Sequence, residues 1–343
     1  MNILITGGAG FIGSHLTDHF LKQGNSVTVF DNLSRRGTEK NLEWLKARHE
    51  KGLTFVKRDV RNLDVVSKAM KDVDAVFHTA AQVAVTTSIK NPREDFEINA
   101  LGTFNVLEAA RLSNSDPVVV YTSTNKVYGE NVNKLPLVKK ETRHEFSDTE
   151  FSNGIPEHFS TSASGYTPYG CSKYLGDVYA RDYFSVHGLK TVSFRMSCIY
   201  GTRQFGNEDQ GWVAHFVISS ILGKPLTIYG DGKQVRDILF ISDLVNAFDL
   251  VLKNISKTKG EVYNIGGGVE NTISLLELIN LLEKISGKKI SYTFSDWRQF
   301  DQKVYISNIK KAFEYFNWVP KVSKENGIKK LHDWVQSNMQ LFG

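Results

Sequence analysis

The sequence predicts an α/β protein built on a doubly wound parallel sheet, with a smaller mixed α/β lobe at its C-terminal end. Short apolar segments that fit strands alternate with segments of helical periodicity through the first two-thirds of the chain. This alternation breaks near residue 200, where strand and helix patterns become mixed. A length of 343 residues also exceeds the usual size of a single domain. We therefore expect two interleaved lobes, residues 1–200 and 201–343, with a cleft between them.

We assign each element from the spacing of its hydrophobic residues. In the first lobe the candidate strands are 2–6, 26–30, 53–56, 74–78, 117–122 and 190–197, and the candidate helices are 13–23, 38–50, 63–70, 92–112 and 168–187. In the second lobe we expect helices at 211–222, 242–253, 274–286 and 324–338 and a strand pair around 226–240. Residues 139–165 are polar and fit no element. Two interpretations of this segment stay open, a lid over the cleft and a solvated insertion.

Composition excludes several classes of protein. A hydrophobic content of 41% and a charged content of 23% are typical of a soluble globular protein. The net charge of +5 is spread along the chain without a basic run, which disfavours nucleic-acid binding, and no apolar stretch is long enough for a membrane span. The first strand begins at residue 2 and the chain has two cysteines, so we expect a cytoplasmic protein with no metal site. His78 is expected to be packed rather than a ligand.

A glycine-rich turn is the most informative motif. Gly7, Gly10 and Gly13 follow the first apolar strand within the segment GGAGFIG, and an amphipathic helix begins at once. A tight turn requires Gly7, a pyrophosphate close to the main chain leaves no room for a side chain at Gly10, and Gly13 lets the helix pack on the strand. The helix N-terminus then offers free N–H groups to phosphates. This pattern predicts a Rossmann-type dinucleotide site.

The second strand ends in an acid that indicates which dinucleotide binds. Asp31 lies 18 residues after Gly13, where a carboxylate accepts hydrogen bonds from ribose hydroxyls and repels a 2′-phosphate. NAD is therefore favoured over NADP. Arg35 and Arg36 argue in the opposite direction, since either guanidinium could hold a 2′-phosphate.

Three side chains suit proton transfer to and from a sugar hydroxyl. Tyr169 and Lys173 lie four residues apart at the start of a predicted helix, so they project from one face. A neighbouring ammonium, together with the positive nicotinamide ring, is expected to lower the pKa of the tyrosine so that it acts as a base. Thr124, at the carboxyl end of the fifth strand, offers a hydroxyl that donates and accepts.

These motifs, with Asp59-Val60-Arg61 and Asn99, resemble those of the extended short-chain dehydrogenase/reductases, the family of nucleotide-sugar epimerases and dehydratases. The resemblance spans essentially the whole chain. It implies that Thr124, Tyr169 and Lys173 are catalytic, and that the C-terminal lobe binds a nucleotide diphosphate through Arg236 and Arg298. The implied cofactor-binding residues are Gly7, Gly10, Phe11, Ile12, Gly13, Asp31, Asn32, Ser34, Arg35, Asp59, Val60, Ala80, Ala81, Gln82, Asn99, Thr122, Tyr169, Lys173 and Ser197.

Departures from the family pattern narrow the reaction. Dehydratases and decarboxylases of the family carry a carboxylate just after the catalytic threonine, whereas this chain has Asn125-Lys126, which favours an epimerase. Cys198 stands where the family often has a substrate-contacting asparagine. Five further motifs are similar to those of family members that invert C2 of a CDP-linked dideoxyhexose: Thr124–Gly129, Arg203–Gly206, Asp209–Val213, Gly232–Asp237 and Asp301-Gln302. The implied substrate-binding residues are Thr124, Asn125, Lys126, Cys198, Gln204, Gln210, Trp212, Val213, Arg236, Arg298 and Asp301.

Three other hypotheses stay open at this point. A dehydrogenase that releases its cofactor and a 4-epimerase of UDP-glucose or UDP-glucuronate share most of these motifs. An NAD-sensing regulator of the same fold typically loses the tyrosine or the lysine, and both are present here. Apolar positions on helices 92–112 and 168–187 suit the interface of a homodimer or a higher oligomer, although core packing explains them too.

Overall fold

A seven-stranded parallel sheet forms the body of the protein in a computed structural model that describes residues 1–342. Its strand order is β12-β8-β5-β4-β1-β2-β3. The strands are β1 (Asn2–Thr6), β2 (Ser26–Asp31), β3 (Leu53–Lys57), β4 (Ala75–His78), β5 (Val118–Thr124), β6 (Leu137–Lys139), β7 (His144–Phe146), β8 (Thr191–Met196), β9 (Cys198–Tyr200), β10 (Leu226–Tyr229), β11 (Val235–Phe240), β12 (Val262–Ile265), β13 (Thr272–Ser274), β14 (Tyr292–Ser295) and β15 (Val304–Tyr305).

Helices cover both faces of this sheet. They are α1 (Phe11–Lys22), α2 (Thr38–Arg48), α3 (Leu63–Ala69), α4 (Val85–Lys90), α5 (Pro92–Asp95), α6 (Gly102–Leu112), α7 (Thr167–His187), α8 (Trp212–Ile221), α9 (Ile241–Lys253), α10 (Ile255–Thr258), α11 (Leu275–Ser286), α12 (Lys310–Phe316) and α13 (Lys324–Ser337). A π-helical turn, Phe96–Leu101, and short 3₁₀ segments complete the chain. The predicted doubly wound fold is confirmed.

Alternation along β1 divides the core into two layers. Ile3 and Ile5 belong to the larger apolar cluster, which includes side chains of α1 and α9, whereas Leu4 belongs to the cluster against α3 and α6. Successive side chains of a strand point to opposite faces, so a parallel strand covered by helices on both faces is apolar throughout. All three residues are at most 1% exposed.

The six strands predicted for the first lobe are present with ends that differ by a few residues. The predicted helix 92–112 is not continuous, because α5 and α6 are separated by the π-helical turn Phe96–Leu101. Helix α4 was not predicted, since its six polar-rich residues have no clear helical period. Strand β12 pairs with β8 and so extends the sheet from a position well beyond residue 200. The boundary between the two lobes stays a prediction.

The second lobe contains more strands than the sequence predicts. The expected strand pair at 226–240 is wrong in its pairing, because β10 pairs with β14 and β11 pairs with β9, β13 and β15. Strands β13, β14 and β15 are two to four residues long, which is too short for a hydrophobic period.

Part of the segment 139–165 forms strands and packed side chains. Strands β6 and β7 pair antiparallel, and Phe151 and Ile155 pack with Tyr128 and Tyr305 in a small apolar cluster. The segment contributes no residue to the two ligand-sized cavities described below, within the part of the chain that the structure describes.

Candidate active site

The glycine turn forms the floor of a cavity of about 380 Å³ at the carboxyl ends of β1 and β2. Gly7 adopts a φ of +69°, which favours glycine, and a Cβ there would lie 2.6 Å from the Ala80 nitrogen. A Cβ at Gly13 would overlap the Gly7 carbonyl oxygen. Helix α1 begins next to Gly10 with no side-chain cap and no acidic residue in its first turn. Its N-terminal N–H groups are therefore free for an anionic ligand.

Asp31 lies at the edge of this cavity. Its carboxylate accepts hydrogen bonds from the Leu33 nitrogen at 2.8 Å and the Ala9 nitrogen at 3.1 Å, which joins the glycine turn to the end of β2. Burial raises the pKa of Asp31 above its usual value, and the backbone donors oppose that shift. The carboxylate oxygens keep lone pairs available to ribose hydroxyls.

A second carboxylate follows β3. Asp59 accepts a hydrogen bond from Asn32 Nδ2 at 2.9 Å and pairs with Arg61 at 2.8 Å. Burial alone would raise the pKa of Asp59, but the hydrogen bonds from Arg61 and Asn32 lower it to about 2. This carboxylate is therefore anionic at neutral pH.

Most of the predicted cofactor-binding residues line this first cavity. They are Gly7, Gly10, Phe11, Ile12, Gly13, Asp31, Asn32, Ser34, Arg35, Asp59, Val60, Ala80 and Ala81. The second lobe closes one side of it with Arg203, Phe205 and Asn207, which the sequence analysis did not single out. Arg203 and Phe205 belong to the motif Arg203–Gly206, and its likeness to the C2-inverting family members is the sequence signal that could have found them.

Tyr169 and Lys173 lie on the first two turns of α7, as their spacing predicts, with Lys173 only 3% exposed. The Lys173 ammonium is 4.4 Å from the centre of the Tyr121 ring. Burial lowers the pKa of Lys173 to about 7, against the opposing charges of Asp95 and Asp177. The Lys173 side chain therefore titrates near neutral pH.

Burial raises the pKa of Tyr169 to about 12, and a hydrogen bond from Thr124 acts in the opposite direction. Thr124 at the end of β5 therefore lies near the phenol, while its hydroxyl donates to Asn125 Oδ1 at 3.3 Å. Two of the three predicted catalytic residues thus lie together, and Lys173 follows one turn further along α7.

The expected lowering of the tyrosine pKa by Lys173 is not found: desolvation is the largest effect, and the charges that act on the Tyr169 pKa are those of Asp95, which raises it, and Arg35, which lowers it. In the protein without bound ligands, Tyr169 is therefore protonated at neutral pH and does not act as a base.

A network of buried hydrogen bonds lies behind this site, and the sequence analysis found only part of it. Asn99 Nδ2 donates to the Gln82 carbonyl at 2.9 Å and to Asp95 at 3.1 Å, and the Gln82 nitrogen donates to Asn99 Oδ1 at 2.9 Å. Gln82 and Asn99 therefore shape the cofactor side without lining the first cavity. Asp95 and Ser172 were missed because nothing in their local sequence distinguishes them.

A second cavity, of about 470 Å³, is lined by side chains from residues 85–126 and from residues 198–301. Asp301 lies at its base between two cations, 2.7 Å from Arg236 and 3.8 Å from Lys126. Burial would raise the pKa of Asp301, but Arg236 and Lys126 outweigh it and the net shift is downward. Two cations facing one carboxylate leave the cluster with excess positive charge, which suits an anionic group such as a diphosphate.

Aromatic and polar side chains line the other wall of this second cavity. Arg298 lies 4.1 Å from the centre of the Tyr229 ring and donates to the Glu208 carbonyl at 2.9 Å. Trp212 Nε1 lies 3.4 Å from Cys198 Sγ, so a sulfur fills the place of the family's asparagine. The predicted substrate-binding residues that line this cavity are Lys126, Cys198, Gln210, Trp212, Arg236, Arg298 and Asp301.

Four predicted substrate-binding residues lie outside the second cavity. Gln204 lines the first cavity instead, and Val213 is 2% exposed in the core. Asn125 lies between Thr124 and Gln302, with hydrogen-bond distances of 3.3 Å to each. Thr124 likewise lines neither of the two cavities, although it contacts Tyr169.

Several predicted cofactor residues also have other partners. Thr122 donates to the His78 carbonyl at 2.8 Å, and Ser197 donates to the Asp237 carbonyl at 2.7 Å. Tyr169 and Lys173 line neither cavity. His78 is packed, as expected, because its Nδ1 and Nε2 lie 2.7 Å and 2.9 Å from the Thr6 and Thr103 hydroxyls.

The first cavity fits a dinucleotide such as NAD. The uncapped N-terminus of α1 faces the pyrophosphate position, no Cβ intrudes at Gly10, and the Asp31 carboxylate is suited to a ribose diol but repels a 2′-phosphate. Arg35 lines the same cavity and lies 3.2 Å from Gln210 Oε1 of the second lobe.

Within residues 1–342, no three His, Cys, Asp or Glu side chains are grouped to share a metal ion. In the same range, no helix has both the length and the apolar character needed to cross a bilayer.

Comparisons with known proteins agree with this geometry. The model of the NAD dependent epimerase/dehydratase family matches residues 3–266. CDP-paratose 2-epimerase of Salmonella typhi is 44% identical over 98% of this chain and 100% of its own length. A putative UDP-glucose 4-epimerase of Methanocaldococcus jannaschii is 33% identical over 98% of this chain and 99% of its own.

A solved structure shows the same likeness. UDP-glucuronic acid 4-epimerase from Bacillus cereus, in complex with UDP-glucuronic acid and NAD, superimposes with a TM-score of 0.84 at 30% identity. The match covers 98% of this chain and 99% of that one. The chain therefore belongs to the NAD dependent epimerase/dehydratase family and is a nucleotide-sugar epimerase that depends on NAD.

Proposed function

We propose that this epimerase inverts C2 of a CDP-linked dideoxyhexose and interconverts CDP-paratose and CDP-tyvelose. The observation that carries the proposal is the pair of residues after Thr124. Asn125 is a neutral amide and Lys126 is a cation beside Asp301, so no carboxylic acid follows Thr124 to protonate a leaving hydroxyl. The low pKa of Asp301 keeps that neighbouring carboxylate anionic as well. The 44% identity to CDP-paratose 2-epimerase supports the same substrate.

The residues of the chain divide the work between binding and proton transfer. When bound, NAD accepts a hydride from the sugar carbon and later returns it. Tyr169 takes the proton of the C2 hydroxyl while that carbon is oxidised and returns it in the second half of the cycle. Thr124 opposes the effect of burial on the phenol through a hydrogen bond, and the part proposed for the Lys173 ammonium is to bind the ribose hydroxyls of NAD. No net redox change occurs, so the cofactor is expected to stay bound between turnovers.

Inversion requires the 2-keto sugar to present its other face. Arg236 and Arg298 are proposed to hold the diphosphate while the sugar rotates about its link to that group. Gln210 lines both cavities and reaches Arg35, which supports a position for its side chain between the cofactor and the sugar. Its side chain carries both a donor and an acceptor and can pair with hydroxyls of either configuration.

Product analysis in heavy water tests the proposal. The protein is incubated with CDP-paratose, CDP-glucose, UDP-glucose and UDP-glucuronate, and the products are read by NMR. We expect inversion at C2 of CDP-paratose with the original hydrogen retained. Solvent deuterium at C2 would instead indicate deprotonation at carbon, and inversion only at C4 of a UDP-sugar would refute the C2 assignment.

A UDP-sugar 4-epimerase is the second candidate function. It is favoured by the 33% identity to the putative UDP-glucose 4-epimerase and by the structural likeness to UDP-glucuronic acid 4-epimerase. The same NMR assay distinguishes the two, because the inverted carbon differs. Release of bound NAD or NADH on denaturation separates both from a dehydrogenase that exchanges its cofactor.

We also propose that the protein is a homodimer and acts in the cytoplasm. Leu112 at the end of α6 is 61% exposed, and Val178, Tyr179 and Val186 on α7 are also exposed. Two such helix pairs could form a four-helix interface that covers these side chains. Sedimentation analysis would show a mass of twice the monomer, and a Val178→Glu variant should sediment as a monomer.

A further inference from the structure

Asp95 is a buried acid that the proposed mechanism does not use. It ends helix α5 and is 1% exposed. Its carboxylate lies 2.6 Å from Ser172 Oγ, 3.0 Å from Gln82 Nε2 and 3.1 Å from Asn99 Nδ2. All three partners are neutral donors, so no cation among them cancels the charge of Asp95.

These contacts link Asp95 both to helix α7 and to the loop that follows β4. Ser172 stands on α7 between Tyr169 and Lys173, and Gln82 follows β4 beside the cavity residues Ala80 and Ala81. Gln82 Nε2 also donates to the Ala84 carbonyl at 2.9 Å. One carboxylate therefore joins the loop after β4 to the helix that carries the catalytic pair.

The groups around Lys173 show why the charge of Asp95 matters. Asp177, on the same helix, is paired with Arg195 at 2.7 Å, so its charge is largely compensated. His78 on β4 is neutral because burial lowers its pKa to about 3. Tyr121 on β5 is neutral because burial raises its pKa. Tyr169 is neutral until it gives up its proton.

Of the groups named around Lys173, Asp95 is thus the anion that is not paired with another cation. Its charge raises the pKa of Lys173 and also that of Tyr169, whereas burial raises the pKa of Asp95 itself. A carboxylate in such a site costs desolvation energy that hydrogen bonds from neutral donors offset only in part. A nearby ammonium compensates for that cost.

We propose that Asp95 is a positioning residue of this site, whose negative charge keeps the buried Lys173 ammonium charged and whose oxygens orient Gln82 at the cofactor cavity. The proposal rests on the proposed function only in the role given to Lys173. Its first consequence concerns NAD binding, since a charged Lys173 is expected to reach the ribose hydroxyls.

The test compares the pH dependence of NAD binding in Asp95→Asn and the wild type. Asparagine keeps the shape of the side chain but removes the charge. Because the charge of Asp95 raises the pKa of Lys173, its removal should lower the pH at which affinity falls by about one unit or more. At pH 7.5 we expect NAD to bind about tenfold more weakly to Asp95→Asn, with near-equal affinity at pH 5.5.

Two matched variants identify the cause. Ser172→Ala removes the 2.6 Å hydrogen bond to Asp95 but leaves the carboxylate, so it should keep the wild-type midpoint. Lys173→Ala has no ammonium to titrate, so its NAD affinity should be weak and nearly independent of pH over this range. Calorimetric titration with NAD measures the affinity of all four full-length proteins after their bound cofactor has been removed.

Specific results would overturn the proposal. A loss of affinity in Asp95→Asn that is equal at every pH would indicate a purely structural role, as would a shift of the same size in Ser172→Ala. An unchanged midpoint in Asp95→Asn would show that its charge does not act on Lys173. Because the readout is NAD binding, failure of the C2-epimerase assignment would appear in the NMR assay and not here.

Discussion

Thr124→Val is the substitution that most directly tests the role of the phenol. Valine keeps the shape of threonine but cannot donate a hydrogen bond to the Tyr169 phenolate. That bond opposes the effect of burial, which raises the pKa of Tyr169 to about 12. Hydrogen bonds to charged groups contribute about 1.5–3 kcal/mol. Since about 1.4 kcal/mol corresponds to one pKa unit, the pKa of Tyr169 should rise by about one to two units in the variant.

The direction of the pH effect follows from the proposed role of Tyr169 as a base. Activity requires the deprotonated phenol, so the rate rises with pH through the pKa of Tyr169 in the complex. A higher pKa moves this acid limb to higher pH, and at pH 7 kcat should fall by about 10- to 100-fold. The Thr124 hydroxyl also lies 3.3 Å from Asn125 Oδ1, which competes for its single proton. Asn125→Ala should therefore leave the limb in place or move it to lower pH.

The assay is kcat as a function of pH for the epimerisation, with NAD content measured in each sample. Ser123→Ala is the matched control, because this neighbouring hydroxyl is buried without a hydrogen-bond partner. We expect it to leave the acid limb unchanged. If Thr124→Val lowers kcat equally at all pH values, or leaves the limb where it is in the wild type, the hydrogen bond to the phenolate is not what Thr124 contributes.

Three further outcomes are expected. Asp31→Ala should erode the preference for NAD over NADP; comparable affinities in the wild type at low salt would mean that Arg35 dominates. Arg236→Gln should raise KM for the nucleotide sugar by about tenfold or more with little loss of NAD, as isotope-labelled NAD retention would show. His78 and His15 are buried with pKa values lowered by desolvation to about 3 and 4. In the unfolded chain both imidazoles bind a proton below about pH 6.5, whereas in the folded protein they stay neutral down to their lowered pKa values. As the pH decreases from about 6.5 towards those values, each histidine should therefore lower the free energy of unfolding by ~1.4 kcal/mol per pH unit. Urea titrations at pH 5 and 6 measure this change.

The strands and the glycine turn could be predicted because their signals are local. Gly7 and Gly13 sit where the chain itself requires a positive φ or close packing, and the αβ rhythm repeats over short windows. The spacing of Tyr169 and Lys173 likewise depends only on helix geometry. These features predict the fold class, the cofactor class and a candidate catalytic pair before any long-range contact is known.

Only the tertiary structure decided which distant segments meet. Strand β10 pairs with β14 rather than β11, and β12 joins the large sheet, because pairing depends on burial that short strands do not encode. Gln204 lines the first cavity instead of the second, and nothing in its local sequence indicates this. Asp95 and Ser172 are 77 residues apart, so their contact has no local signature. Burial sets the charge of Tyr169 and Lys173, and burial is a property of the folded chain as a whole.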